Sequence, residues 1–198
     1  TQDIFVKIEI VAYSHEELSS QLDISLNDYN SESSGKQSIG ITAGIEFPVS
    51  IENNFYSDTG VAYINKGASH TAQFFGHVIY KKNSWKFYAG GYFGTGIDKL
   101  RIDHITVSAP NKNAVTFDVD KTPSYFCTGF DIGTSYILNK HWTIDVKFQS
   151  DEKSYDSLSV DTQSMGINGS TTLSMLAAQE ADINIVSTNL IVGVSYSF

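Results

Sequence analysis

Five histidines, one cysteine and an excess of carboxylates are the groups in this 198-residue chain that could do chemistry. An acyl-transfer or lipid-modifying centre needs a histidine beside a hydroxyl nucleophile, with an acid to orient it. His15, His70 and His104 fall in connecting stretches and His141 falls at a turn. Only His77 sits inside a strongly patterned segment. No His-X-Ser pair lies on such a segment, and the nearest spacing, His141-Trp142-Thr143, is at the turn. His77 therefore reads as an internal hydrogen-bonding group rather than a general base. The single Cys127 excludes an intramolecular disulfide and any multi-cysteine metal site, and reads as a small buried side chain. No cofactor is expected.

The carboxylates cluster. Glu16, Glu17, Asp23, Asp28 and Glu32 fall in residues 14–37 against Lys36. Asp151, Glu152, Asp156, Asp161, Glu180 and Asp182 fall in 150–184 against Lys153. An acidic rim of this kind could take a divalent cation or dock a basic partner, although no EF-hand-like spacing is present. The formal charge of −9 and the single arginine, Arg101, exclude nucleic acid as a partner.

The elements that must position these groups show period two. Residues 4–12, 38–47, 55–63, 74–80, 85–94, 126–136, 142–149 and 189–198 each alternate large apolar residues with small or polar ones. Helical periodicity is absent except around Thr172–Gln179, where "TTLSMLAAQE" (171–180) reads as a short helix packed on the mouth of the fold or as an exposed partner-binding patch. No apolar run is long enough for a transmembrane helix, but membrane strands hide in alternation. Short turns alternate with long connections at 14–37, 95–124 and 150–184. Long loops at one end and short turns at the other are expected of an eight-stranded antiparallel up-and-down barrel, here a single all-β domain over 1–198. An opening Thr1 is expected of a processed mature chain.

Alternation alone does not say which face is inside. The less apolar face carries Gly40, Gly44, Gly60, Gly90, Gly94, Gly129, Gly133 and Gly193. Glycine is a poor choice on a strand in water and a good one where space is short. That face is expected to fill the lumen, with Glu9, Glu46, Asp58, His77, Asp131 and Asp145 met by Lys7, Lys86 and Lys147. The apolar face then points outward. Its aromatics fall near the strand ends: Phe47, Trp85, Tyr136, Trp142 and Phe198 at the short-turn end, and Tyr63, Phe74, Phe93, Phe126 and Phe148 at the other. The two girdles are about nine residues apart, roughly 23 Å at a tilt near 40°, which matches the apolar band of a membrane barrel. A lipocalin-like soluble carrier is the alternative.

Three segments, "WKFYAGGYFGTGIDKL" (85–100), "FDIGTSYILNKHWTIDVKFQ" (130–149) and the ending "GVSYSF", resemble the small eight-stranded outer-membrane β-barrels of Gram-negative bacteria. That superfamily includes the OmpA barrel domain, the outer-membrane protein X type and the attachment-invasion type. The resemblance implies short periplasmic turns, long extracellular loops, lipid and lipopolysaccharide around a monomeric barrel, and a surface or adhesion role. A lipid A-modifying enzyme and a narrow small-solute channel remain open alternatives. Lys147 stands where the family's turn-Trp-strand unit usually carries a glutamate, so a differently wired lumen is expected. The resemblance further implies that the terminal Phe198, with Tyr196 and Val194, is the signal read by the outer-membrane assembly machinery.

Overall fold

The computed structural model describes residues 2–20, 24–31, 38–98, 100–107, 115–122, 124–158 and 181–198. The eight patterned segments form eight antiparallel strands: β1 (Asp3–Ser20), β3 (Ser38–Ser50), β4 (Phe55–Lys66), β5 (Ser69–Lys82), β6 (Trp85–Ile97), β9 (Ser124–Ile137), β10 (Trp142–Leu158) and β11 (Ala181–Ser197). They close in the order β1-β11-β10-β9-β6-β5-β4-β3, so each barrel strand pairs with the next one in sequence and β11 pairs back onto β1. Closure removes the edge strands that an open eight-stranded sheet would present.

The register fixes the barrel's width. Followed from strand to strand, the pairing leads from Ile8 through Ile41, Tyr63, Ala72, Thr95, Phe126, Ser154 and Asn184 back to β1 at Ser19. One circuit therefore climbs from Ile8 to Ser19, and one residue of that climb is Ala12, which a bulge between Val11 and Tyr13 leaves unpaired. With eight strands this stagger implies a tilt of about 40° and a backbone radius of about 8 Å.

So narrow a lumen admits side chains only if they interlock. Six rings that point inward sit directly across from a glycine on the neighbouring strand: Phe5 opposite Gly44, Phe75 opposite Gly60, His77 opposite Gly90, Tyr88 opposite Gly133, Tyr92 opposite Gly129, and Tyr125 opposite Gly96. At Gly133 the ring of Tyr88 occupies the space a Cβ would need, and at Gly129 the ring of Tyr92 does the same. The glycines are seats for aromatic rings, which explains why they alternate with bulk along each strand.

Outside, the polarity is reversed from that of a water-soluble domain. Ile4, Ile8, Ile41, Phe74, Val78, Phe93, Phe130, Ile132 and Leu190 are exposed, while Glu9, Glu46, His77, Asp131 and Asp145 are buried. Soluble proteins rarely show a continuous apolar patch beyond a few hundred Å². Here the apolar surface runs around the whole barrel. Two hairpins are tight. Gly67 (φ 62°) turns β4 into β5, and Asn83 (φ 57°) turns β5 into β6, both in the left-handed region that Gly and Asn tolerate.

The long connections differ from the expected loops. β1 and β10 run on through Ser20 and Leu158, and β11 begins at Ala181, so three barrel strands rise well past the apolar band. Segments from the long connections 14–37 and 95–124 pair into a separate three-stranded antiparallel sheet, β2 (Ile24–Ser31), β7 (Leu100–Val107) and β8 (Val115–Lys121), in the order β2-β7-β8. The backbone has recruited hydrogen-bond partners that open loops would have left to water. The proposed helix at 171–180 lies outside the described residues.

Gly133→Ala should destabilise the barrel by about 1–3 kcal/mol through overpacking against Tyr88. In a double-mutant cycle, adding Tyr88→Ala should cost less than the sum of the two single changes, read from urea unfolding in lipid vesicles.

Candidate functional site

The polar groups of the lumen fall into three layers. The middle layer is densest. Lys147 Nζ lies 2.8 Å from Glu9 Oε1 and 3.8 Å from Asp131 Oδ2. Lys7 Nζ lies 3.1 Å from Asp145 Oδ1 and 3.8 Å from Glu9 Oε1. Asp145, among the most buried side chains of the protein at 1% exposure, also accepts from Ser135 Oγ at 2.6 Å and from the Tyr88 hydroxyl at 2.9 Å. Thr42 Oγ1 donates to the other oxygen of Glu9 at 2.9 Å. His77 bridges the remaining pair: Nδ1 is 2.6 Å from Asp58 Oδ1 and Nε2 is 2.9 Å from Asp131 Oδ1.

His77 carries a stoichiometric constraint. Both of its nitrogens face a carboxylate, and a neutral imidazole has only one N–H. Satisfying both contacts takes a doubly protonated ring or a proton held on one carboxylate. In this layer Glu9, Asp58, Asp131 and Asp145 face Lys7, Lys147 and His77, so even with a charged ring the acids exceed the bases by one. Phe75 stacks on His77 at 5.1 Å between centroids and closes that side of the ring.

The layer toward the short turns is separate. Glu46 is gripped by Lys86 at 2.6 Å and by Lys81, whose ammonium also lies 3.8 Å above the ring of Tyr56. The sequence did not single out Lys81. The signal for it was the alternation of β5, which places residues 77, 79 and 81 on the inner face.

The third layer, toward the long connections, overturns part of the expected acidic rim. Glu16 is not a solvated loop residue but pairs with Lys66 at 2.5 Å. The bulge at Ala12 shifts the alternation of β1 by one residue and turns Glu16 inward. Asp151 is buried and accepts from Ser187 Oγ at 2.6 Å and Asn189 Nδ2 at 3.2 Å, because β10 continues where a loop was expected. Glu152 does face outward, held by Asn184 Nδ2 at 3.0 Å. Glu17 and Asp156 belong to β1 and β10, but their side chains, like Asp23, lie outside the description. Tyr125 and Tyr155 cap this layer with rings 5.3 Å apart, and the Tyr155 hydroxyl donates to Asp98 at 3.0 Å.

Outward-facing aromatics gather at both strand ends. At the short-turn end Trp85 meets Tyr136 edge-on at 4.9 Å, and Phe47 is half-buried. At the far end Phe74 stacks on Phe93 at 5.7 Å, while Tyr63, Phe126 and Phe148 stand exposed. The C-terminal residues are held by the β9–β10 turn. Tyr196 stacks on His141 and meets Trp142 edge-on at 5.0 Å, and Phe198 packs edge-on against Tyr196 at 5.1 Å. The Phe198 N–H donates to Ile4 O at 3.0 Å, and His141 Nδ1 lies 2.9 Å from Ser197 O. Val194 faces outward between Ile144 and Ile8. His141 thus has a structural partner in place of the hydroxyl that acyl transfer requires.

Removing Lys147 should cost more than removing its pair. Lys147→Met leaves Glu9 and Asp131 short of a cation and should destabilise by about 3–5 kcal/mol. Lys147→Met with Glu9→Gln should recover part of that loss, read as the shift of the urea midpoint.

Comparison with known proteins finds no matching family model and no matching curated protein. Among solved structures, the chain is similar to Neisserial surface protein A at 13% identity, over 98% of this chain and 97% of that one, with a TM-score of 0.46. It is similar to Ail, the attachment invasion locus protein of Yersinia pestis solved with the heparin analogue sucrose octasulfate, at 10% identity, over 100% and 99%, with a TM-score of 0.45. It is similar to the outer membrane protein OprG of Pseudomonas aeruginosa at 12% identity, over 100% and 95%, with a TM-score of 0.31.

Proposed function

We propose that the chain is an integral outer-membrane barrel that anchors an interaction surface, built by the long connections at one end, on the cell exterior. The observation that carries this is the inversion of polarity: a closed barrel with an apolar outside and a charge-paired inside. Water gives no reason to bury Glu9, Asp131 and Asp145 while exposing Ile8, Phe93 and Ile132, whereas a bilayer gives both reasons at once. The asymmetry of the two ends supports the second half of the proposal. One end has tight turns. The other extends β1, β10 and β11 and adds the β2-β7-β8 sheet, which is more ordered backbone than an anchor alone requires.

The reading is non-enzymatic. His77 has both nitrogens on carboxylates, and His141 serves the closing turn. Phe198 and Tyr196 act as the assembly signal in this reading, consistent with an exposed Phe198 ring on a strand that seals the barrel.

Deleting residues 100–121, which carry β7 and β8, should abolish binding of expressing cells to a host-cell or matrix surface, with heat-modifiable gel migration of the barrel unchanged. Undiminished cell binding would count against the surface role. Deleting Phe198 should lower the folded, heat-modifiable amount in the membrane fraction several-fold, and normal amounts would remove it as the assembly signal.

A further inference from the structure

The lysines of the barrel separate into two kinds. Lys7, Lys66, Lys81, Lys86 and Lys147 each lie within ion-pair distance of a carboxylate inside the barrel, and Lys153 rests over the Tyr125 ring. Lys82 and Lys140 differ. Both are exposed, and among the described residues neither forms an ion pair or a hydrogen bond. Alternation along β5 explains Lys82: Lys81 turns inward to Glu46, so the next residue turns outward. Lys140 sits in the turn between β9 and β10, where Asn139 Oδ1 accepts from the His141 and Trp142 N–H groups at 2.9 and 3.0 Å and fixes the turn's shape. Residues 51–54, 83–84 and 138–141 make the short turns. Glu52 is the one acid among them, and it pairs with neither lysine.

The register brings the two lysines into one sector. Lys82 pairs with Trp85, and Trp85 pairs with Tyr136 on the strand that leads to Lys140. The two turns are joined where the Ile137 N–H donates to Ser84 O at 2.8 Å. Lys82 and Lys140 are therefore about two strand spacings apart, roughly 10 Å, a gap that two long flexible side chains can close around one phosphate. Between them stand Trp85 and Tyr136, edge-on at 4.9 Å, with Trp142 beyond. All three rings are exposed on the outer face. The chain's two tryptophans thus share a sector with the two unpaired lysines of the described residues.

Ammonium groups beside amphipathic rings, at the rim of an apolar band, suit the level of a bilayer where phosphates meet glycerol esters. Net charge selects among lipids. A zwitterionic lipid brings its own ammonium to two lysines that no acid offsets, whereas a lipid of net negative charge answers both. The chain as a whole, at −9, repels anionic lipid, so a preference for it has to be local. We infer that Lys82 and Lys140, with Trp85 and Tyr136 between them, form a headgroup site for an anionic glycerophospholipid in the leaflet at the short-turn end. The site rests on the membrane placement proposed above, in which that leaflet is the inner one.

The tryptophans report on the site. The full chain is reconstituted into phosphatidylcholine vesicles with increasing fractions of brominated phosphatidylglycerol or, in parallel, brominated phosphatidylcholine, both brominated near the headgroup. Half-maximal quenching should come at a mole fraction of phosphatidylglycerol about threefold or more below that of phosphatidylcholine, and the preference should shrink as salt is raised. Lys82→Gln with Lys140→Gln should abolish the preference, and Lys82→Arg with Lys140→Arg should keep it, each checked for folding by heat-modifiable migration. Should the glutamine pair fail to fold, the salt dependence of the unaltered chain decides. Excess dissolved glycerol phosphate should leave the preference intact; its loss would assign the lysines to a free phosphate and overturn the lipid site. Equal quenching by the two lipids, a preference indifferent to salt, or one that survives the glutamine pair would overturn the site and leave the membrane placement standing. Quenching by neither lipid would refute the placement and the site together.

Discussion

The width of the lumen is the constraint from which the rest follows. Eight strands at the observed stagger enclose a tube of about 8 Å backbone radius, too narrow for a water column and too wide to be empty. It must be filled, and strand alternation directs every second residue into it. Rings fill its middle because most of them meet a glycine on the adjacent strand, as Tyr88 does at Gly133 and Phe5 at Gly44. Charges fill it only because each acid meets a base or several donors, as Asp145 meets Lys7, Ser135 and Tyr88. Steric and electrostatic matching are therefore a single problem, solved by the same register.

That register also determines which residues share a layer. Glu9 and Asp131 are far apart in sequence and on strands that do not pair, yet both lie within reach of Lys147. A change of one residue in the stagger would turn a strand's inner set outward, setting Glu9 against the apolar surroundings of Ile8 and Ile10. The bulge at Ala12 makes such a change on purpose, once, above the apolar band. Below it β1 sends Phe5, Lys7 and Glu9 inward, and above it Glu16.

Much of this was legible in the sequence, for physical reasons. The eight strands announced themselves because one face had to be apolar and the other small, and period two survives any tertiary context. The inner placement of residues such as Glu46 and Asp131 followed from alternation together with the glycines that share their face. What could not be read was how they pair, because that depends on stagger, which no single strand carries. The same holds for Lys81, whose partner Glu46 belongs to a strand not adjacent to its own. The acidic rim misled because a polar stretch reads as loop even when it continues a strand: Asp151, Lys153 and Tyr155 alternate with Glu152 and Ser154 beyond the apolar pattern that had defined β10. A one-residue bulge at a small alanine leaves no compositional mark at all.

The central claim is that the apolar outside of the barrel meets lipid. The chain has only two tryptophans, Trp85 and Trp142, both outward-facing and both at the short-turn end. Fluorescence quenching by brominated phospholipids therefore reports directly on that surface. After reconstitution into vesicles, lipids brominated near the headgroup should quench tryptophan emission strongly, and lipids brominated at the bilayer centre should quench it less. Emission unaffected by any brominated lipid, but fully quenched by aqueous iodide, would place these faces in water and contradict the account.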